Sequence, residues 1–230
     1  SPIECEAAAT AWLDAFGTDT PPRPRLDRAD LVVGFGAEFI DRPESGLERD
    51  FATRRAPASC GCASPETCHC ATSGDHRGGM SRFVQFEGRL TLTGANADRR
   101  VRVRDSQLAG LAAAVAHQII AVRQIGPLAD SASVARALAP FTAAAVAASS
   151  GVDVAVITGL ASQLIEAGDR AIALAGGAAS ESSTGVALET AVILINQSLN
   201  GYTAPVFDDR SRLPLPHGGA SALAALAADM

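Results

Sequence analysis

The sequence predicts an α/β fold, a parallel sheet flanked by helices. Three observations predict it. Short apolar runs end in glycine or in an acid-glycine pair: Leu31 to Gly36, Phe83 to Gly88, and Ala171 to Ala175 before Gly176-Gly177. Segments with helical periodicity separate these runs, and strands alternating with helices pack as a parallel sheet. The composition is 47% hydrophobic but only 4% aromatic, so aliphatic side chains and alanine must fill the core.

The elements follow in order along the chain. A first helix is expected from about Ile3 to Phe16, closed by Gly17. A proline-arginine linker, Pro21 to Arg25, is too stiff and polar for helix or strand. Leu31 to Gly36 has the continuous apolar look of a buried parallel strand with its loop. Glu44 to Arg55 reads as helix. Residues 57–79 break the composition: they are rich in Cys, Ser, Gly and Pro, carry no hydrophobic period, and read as a loop or insertion.

Arg82 to Phe86 is the second strand, ending in Glu87-Gly88-Arg89. A polar crossing with one glycine (Gly94) leads to a short alternating run, Val101 to Arg104. Helix is then expected from Asp105 to Arg123, because Leu108, Leu111, Val115, Ile119 and Val122 form one stripe at 3.6 residues per turn. Asp105 or Ser106 would serve as its N-cap. Two shorter helices flank Pro140. Val152 to Ala167 is helical and closed by Gly168, and Ala171 to Ala175 is a third strand. Leu188, Val192, Ile195 and Leu199 make one face of a later helix that stops at Asn200-Gly201. Val206-Phe207 adds a strand end, and a last helix is expected from Ala220.

The chain of 230 residues is read as one α/β domain, residues 1–230, with the Cys-rich insertion at about 57–79. It begins at Ser1 and stops at Met230 within the expected last helix, which reads as a piece of a longer protein. A formal net charge of −6 argues against nucleic acid as the main partner. All 19 basic residues are arginine, which reads first as codon bias. The apolar stretches reach about a dozen residues, short of the ~20 that span a bilayer, so no direct membrane insertion is expected.

Several groups could carry chemistry. Gly34 and Gly36, after a buried strand, would let backbone N–H groups approach a phosphate, or simply make a strand-to-helix turn. Position 39 is Phe39, so the pattern is not GxGxxG, and Glu38 and Asp41 would repel an anion. Gly176-Gly177, followed by Ser180, Ser182, Ser183 and Thr184, carries the same pair of readings. Glu87 and Arg89 flank Gly88 at a strand end. Their functional reading is a carboxylate for a ribose or base edge; the alternative is an ion pair or two solvated charges.

Cys60, Cys62, Cys68 and Cys70 form C-x-C-x5-C-x-C with His69 inside. Four thiolates can close a tetrahedral metal site, although one residue between two sulfurs makes chelation of one ion awkward. Two disulfides are the competing reading. Cys5 is isolated and reads as structural. His117 lies opposite the apolar stripe of its helix and reads as solvated; His76 and His217 sit in Gly-rich loops. No Ser-His-Asp set, paired catalytic carboxylates or P-loop is visible.

The same phrases carry a family resemblance. Val32 to Phe39 (VVGFGAEF), Phe86 to Asp98 (FEGRLTLTGANAD) and Ile172 to Gly177 (IALAGG) resemble the third, Rossmann-like domain of molybdopterin oxidoreductases. More narrowly, Ser81 to Val103, Leu194 to Tyr202 (LINQSLNGY) and Leu223 to Met230 (LAALAADM) resemble the iron-sulfur subunit of bacterial alternative complex III, a membrane quinol:electron-acceptor oxidoreductase. The resemblance runs over nearly the whole chain, apart from the Cys-rich insertion.

The resemblance implies a scaffold domain that has lost its cofactor. Iron-sulfur clusters would lie elsewhere in the full-length chain, and the partners would be other subunits of a respiratory complex at the periplasmic face of the inner membrane. Phe35-Gly36-Ala37-Glu38 stands where active relatives have a glycine-serine-asparagine turn, and Gly88 replaces the proline after the acid. Two alternatives stay open. One is an active enzyme with molybdopterin dinucleotide held by Gly34, Gly36, Glu87 and Arg89. The other is a small metal-binding module on Cys60, Cys62, Cys68 and Cys70.

Overall fold

A computed structural model describes residues 2–41, 46–56, 80–203, 205–212 and 228. The chain opens with α1 (Pro2–Phe16), the short strand β1 (Pro22–Pro24) and a 3-10 turn (Leu26–Arg28). Then come β2 (Leu31–Phe35), α2 (Leu47–Arg55), β3 (Arg82–Glu87), the one-turn helix α3 (Leu92–Ala95) and β4 (Arg99–Arg102). Next is α4 (Asp105–His117), which runs into a π-turn over Gln118–Val122. The remaining elements are α5 (Ala132–Leu138), α6 (Ala143–Ser150), α7 (Val154–Ala167), β5 (Ala171–Ala175), α8 (Gly177–Ser180), α9 (Gly185–Leu199) and β6 (Phe207–Arg212).

Strands β2 to β5 form one parallel sheet in the order β4-β3-β2-β5. Val33 of β2 sits beside Val84 of β3 and Ala173 of β5. After β2 the chain steps outward to β3 and β4, then crosses back to place β5 on the other side of β2. The strand order therefore reverses between β2 and β5, and such a reversal opens a crevice at the carboxyl ends of an α/β sheet.

Both faces of the sheet are covered, which explains the unbroken apolar runs. On one face Leu31, Val33, Phe35, Val84, Phe86 and Ala173 pack with Leu108, Leu111, Leu164 and Ile195 of the α4–α9 layer. On the other, Val32, Phe83 and Ile172 meet Leu26, Leu47 and Phe51. This is the period of two that a strand imposes. Few aromatics are needed because they are concentrated: Phe35 stacks on Phe86 at 5.4 Å, and Phe39, Phe51 and Phe83 form a triangle with centroids 5.3 to 5.5 Å apart.

The structure corrects several expectations. The proline-arginine segment is strand β1, paired antiparallel with β6. Proline is tolerated there because a two-stranded ribbon leaves one side of each strand without a ladder. The polar crossing contains α3. The residue that caps α4 is Arg104, and Asp105 is the first helical residue. His117 is half-buried, its Nδ1 has no partner among the described residues, and desolvation lowers its pKa. The 57–79 insertion, with Cys60, Cys62, Cys68 and Cys70, lies outside the described residues. So does the expected last helix, apart from Ala228.

Candidate functional site at the sheet edge

The carboxyl edge of the sheet brings together most of the residues singled out from the sequence. Gly36, Glu87 and Arg89 line one depression with Glu38, Thr91, Asp105, Ala178 and Ala179. Gly34 lies inside β2, short of the rim. The empty space is about 210 Å³, part of it open solvent.

Each predicted residue is already engaged by the protein itself. The Gly36 N–H donates to the Phe86 carbonyl at 2.8 Å. Gly36 has φ +71°, and a Cβ there would meet the Gly176 carbonyl oxygen at 2.9 Å. Gly34 makes room for Gln85: a Cβ on Gly34 would fall on the Gln85 amide oxygen. Gln85 is fully buried and donates to the Ala37 carbonyl at 2.8 Å, which holds the turn after β2 in place. Both glycines are thus explained by close approach of the chain to itself.

Glu87 and Arg89 do not pair with each other. Glu87 is 2% exposed and forms an ion pair with Arg100 of β4. It also accepts the Thr91 hydroxyl at 2.7 Å and the Thr91 N–H at 3.4 Å. Arg89, 66% exposed at its side chain, reaches across to Glu38 at 2.6 Å, and this carboxylate pushes the guanidinium pKa up. Glu38 therefore does not confront the depression as a bare anion, as its place in the sequence suggests. It is covered by a cation.

The N-terminus of α3 is closed from inside. Asp41 accepts the N–H groups of Leu92 and Thr93 at 3.0 and 2.9 Å, and the Thr93 hydroxyl at 2.7 Å. Burial pushes the Asp41 carboxyl up, but these donors outweigh it and hold the pKa below the usual carboxylate value. The Thr91 hydroxyl accepts the Gly94 N–H at 2.9 Å. Free N–H groups of a helix start are what an external phosphate would use; here Asp41 and Thr91 take them. The sequence suggested that Asp41 repels an anion. In the structure it stands in the place of one.

Asp105 accepts the Gly88 N–H at 3.2 Å and locks the turn after β3. A Cβ at Gly88 would lie 2.9 Å from the same carboxylate oxygen. Across the switch point, Ser180 donates to Glu189 at 2.7 Å, and Ser182 donates to the Ala179 carbonyl at 2.7 Å. Burial pushes the Glu189 carboxyl up to about 7, with the Ser180 hydroxyl pulling the other way. No group of three or more His, Cys, Asp or Glu that could hold a metal is found among the described residues.

A dinucleotide cofactor would find several groups at this edge already engaged within the chain. Its pyrophosphate needs free N–H donors or unclaimed cations. The Gly36 N–H is in a backbone bond, the α3 donors are taken by Asp41 and Thr91, Arg100 is held by Glu87 and Arg89 by Glu38.

The fold and its edge define a class: an α/β domain with a four-stranded parallel sheet and a switch-point crevice. Among solved structures the chain is similar to acetylene hydratase from Pelobacter acetylenicus, with a TM-score of 0.56 and 10% identity. The match covers 90% of this chain and 26% of that one. This likeness shows the fold alone. No protein-family model matches the sequence, and no curated protein matches it.

Proposed function

We propose that this chain is a cofactor-free scaffold domain of an electron-transfer subunit in a membrane quinol oxidoreductase complex of the alternative complex III type. Its iron-sulfur clusters would lie elsewhere in the full-length polypeptide. Its partners would be the other subunits, at the periplasmic side of the bacterial inner membrane.

One observation carries the cofactor-free part of this reading. The donors that the switch point and α3 would offer a dinucleotide are bonded to Phe86, Asp41 and Thr91 of the chain itself. The carboxylate expected to read a ligand, Glu87, is turned inward onto Arg100 and Thr91. The fold likeness supports descent from a cofactor-binding domain, and the filled edge supports loss of the ligand. The complex and its location rest on the sequence phrases alone.

Elemental and pterin analysis of the purified full-length protein tests the reading. Iron in cluster amounts with no stoichiometric molybdenum, tungsten or released pterin is the expected result. About one metal and a pterin dinucleotide per chain would replace it with the enzyme reading.

A further inference from the structure

The two edges of the parallel sheet are finished in opposite ways. At the β5 edge, side chains stand in for a missing strand. Asn196 is 2% exposed; it accepts the Ala173 N–H at 2.9 Å and donates to the Ala173 carbonyl at 2.9 Å. Asn200 donates to the Ala171 carbonyl at 2.8 Å. Both carboxamides therefore complete the ladder where the sheet stops.

Among the described residues the β4 edge has no such cover. In a parallel ladder alternate residues turn both backbone groups toward the same neighbour. Val103 donates to the Glu87 carbonyl at 3.0 Å. Arg102, and Arg100 two residues earlier, therefore turn their N–H and C=O groups outward. No hydrogen bond satisfies these groups among the described residues.

The side chains along this edge are equally unmatched. Arg99, Arg102 and Arg104 are exposed and form no ion pair among the described residues. Several other arginines are paired: Arg23 with Asp50, Arg54 and Arg170 with Asp30, Arg55 with Asp98, Arg89 with Glu38 and Arg100 with Glu87. A chain of net charge −6 thus places three cations with no ion pair among the described residues along β4 and its exit toward α4.

We propose that β4 docks an acidic, extended segment of a partner protein, which adds a fifth strand to the sheet. Main-chain bonds to Arg100 and Arg102 supply the pairing, and alternate side chains supply specificity. Acidic residues of the incoming strand meet Arg102 and Arg104. The intervening residues lie beside Val101 and Val103, which belong to the apolar layer against α4. The segment is therefore one that alternates acidic and apolar residues. A second copy of this edge is disfavoured, because like charges facing each other across strands destabilise pairing.

The test titrates the full chain with a fluorescent peptide of alternating valine and glutamate. Saturable binding is expected, with slowed hydrogen exchange at the amides of Arg100 and Arg102. Charge reversal at two exposed positions, Arg102→Glu with Arg104→Glu, is expected to weaken binding about tenfold or more while the circular dichroism spectrum is unchanged. No saturable binding would overturn the proposal. So would equally tight binding of unstructured polyglutamate or duplex DNA, or peptide binding that leaves the two amides unprotected. The metal and pterin content of the protein is independent of every one of these outcomes.

Discussion

The Thr91 hydroxyl donates to Glu87 Oε2 at 2.7 Å while accepting the Gly94 N–H at 2.9 Å. One side chain thus caps α3 and satisfies a carboxylate that is 2% exposed. Thr91→Val keeps the shape and removes both bonds. The loss is expected to be about 2 kcal/mol, combining an N-cap with a buried acceptor left short of a donor. Urea denaturation with an unchanged m-value measures it.

Asn196 closes the β5 edge through one carboxamide that bonds both backbone groups of Ala173. Asn196→Leu fills the space and leaves those buried groups unpaired. A cost of about 2–3 kcal/mol is expected, read as a lower midpoint in chemical denaturation. Asn196→Asp keeps one acceptor, loses the donor and places a charge there, so it is expected to cost at least as much at neutral pH.

Two sets of carboxyl groups give opposite pH slopes. In Asp30, burial raises the pKa, but the bonds from Arg170 and then Arg54 outweigh it and the net direction is down. Asp41 is lowered as described, and Asp98 is lowered first by its hydrogen bond to Arg55. Such groups stabilise the fold above their unfolded pKa of about 4, and that stability is lost as pH falls through their folded values. Glu189 works the other way. Its folded pKa of about 7 lies above its unfolded value, so stability falls as pH rises from about 4.5 to about 7. Glu189→Gln is expected to flatten that window and to stabilise the protein at pH 8 by roughly 1–3 kcal/mol. Unfolding free energies across pH 4 to 8 check both the slope and its loss.

The ends of the Cys-rich insertion are fastened without it. Arg55, the last residue of α2, donates to the Ser81 carbonyl at 2.7 Å and grips Asp98 with bonds of 2.7 and 2.8 Å. Asp98 in turn accepts the Phe83 N–H at 2.7 Å at the start of β3. Arg55→Ala is expected to cost about 1–3 kcal/mol, because it leaves the Ser81 carbonyl and the Asp98 carboxylate without this donor. A lower midpoint in chemical denaturation measures the loss.

The sheet was legible because β2 and most of β5 are buried on both faces, which writes Leu31 to Phe35 and Ala171 to Ala175 as unbroken apolar runs. Strand β1 was not, and β6 was legible only at its start, Phe207, since prolines and charges dominate the rest and only their mutual pairing makes them strands. The edge residues were legible as a place, but their partners were not. Glu87 reads as a ligand carboxylate or as half of an ion pair with Arg89; its partner is Arg100, which the register sets opposite Gln85 and which, thirteen residues away on another strand, leaves no local signal. Asp41 reads as a repelling charge because its donors, Leu92 and Thr93, lie some fifty positions away. Asn196 falls inside a helix, and nothing local marks it as the end of a ladder.

The central claim is that the carboxylates at this edge serve the fold and not a ligand. The most direct test is the unfolding free energy of Glu87→Gln in the full-length protein. The account predicts a loss of about 2 kcal/mol, because Arg100 loses its partner and the new amide presents donors to donors. Stability equal to that of the unsubstituted protein would contradict it, since a carboxylate kept for a ligand can be neutralised without loosening the domain.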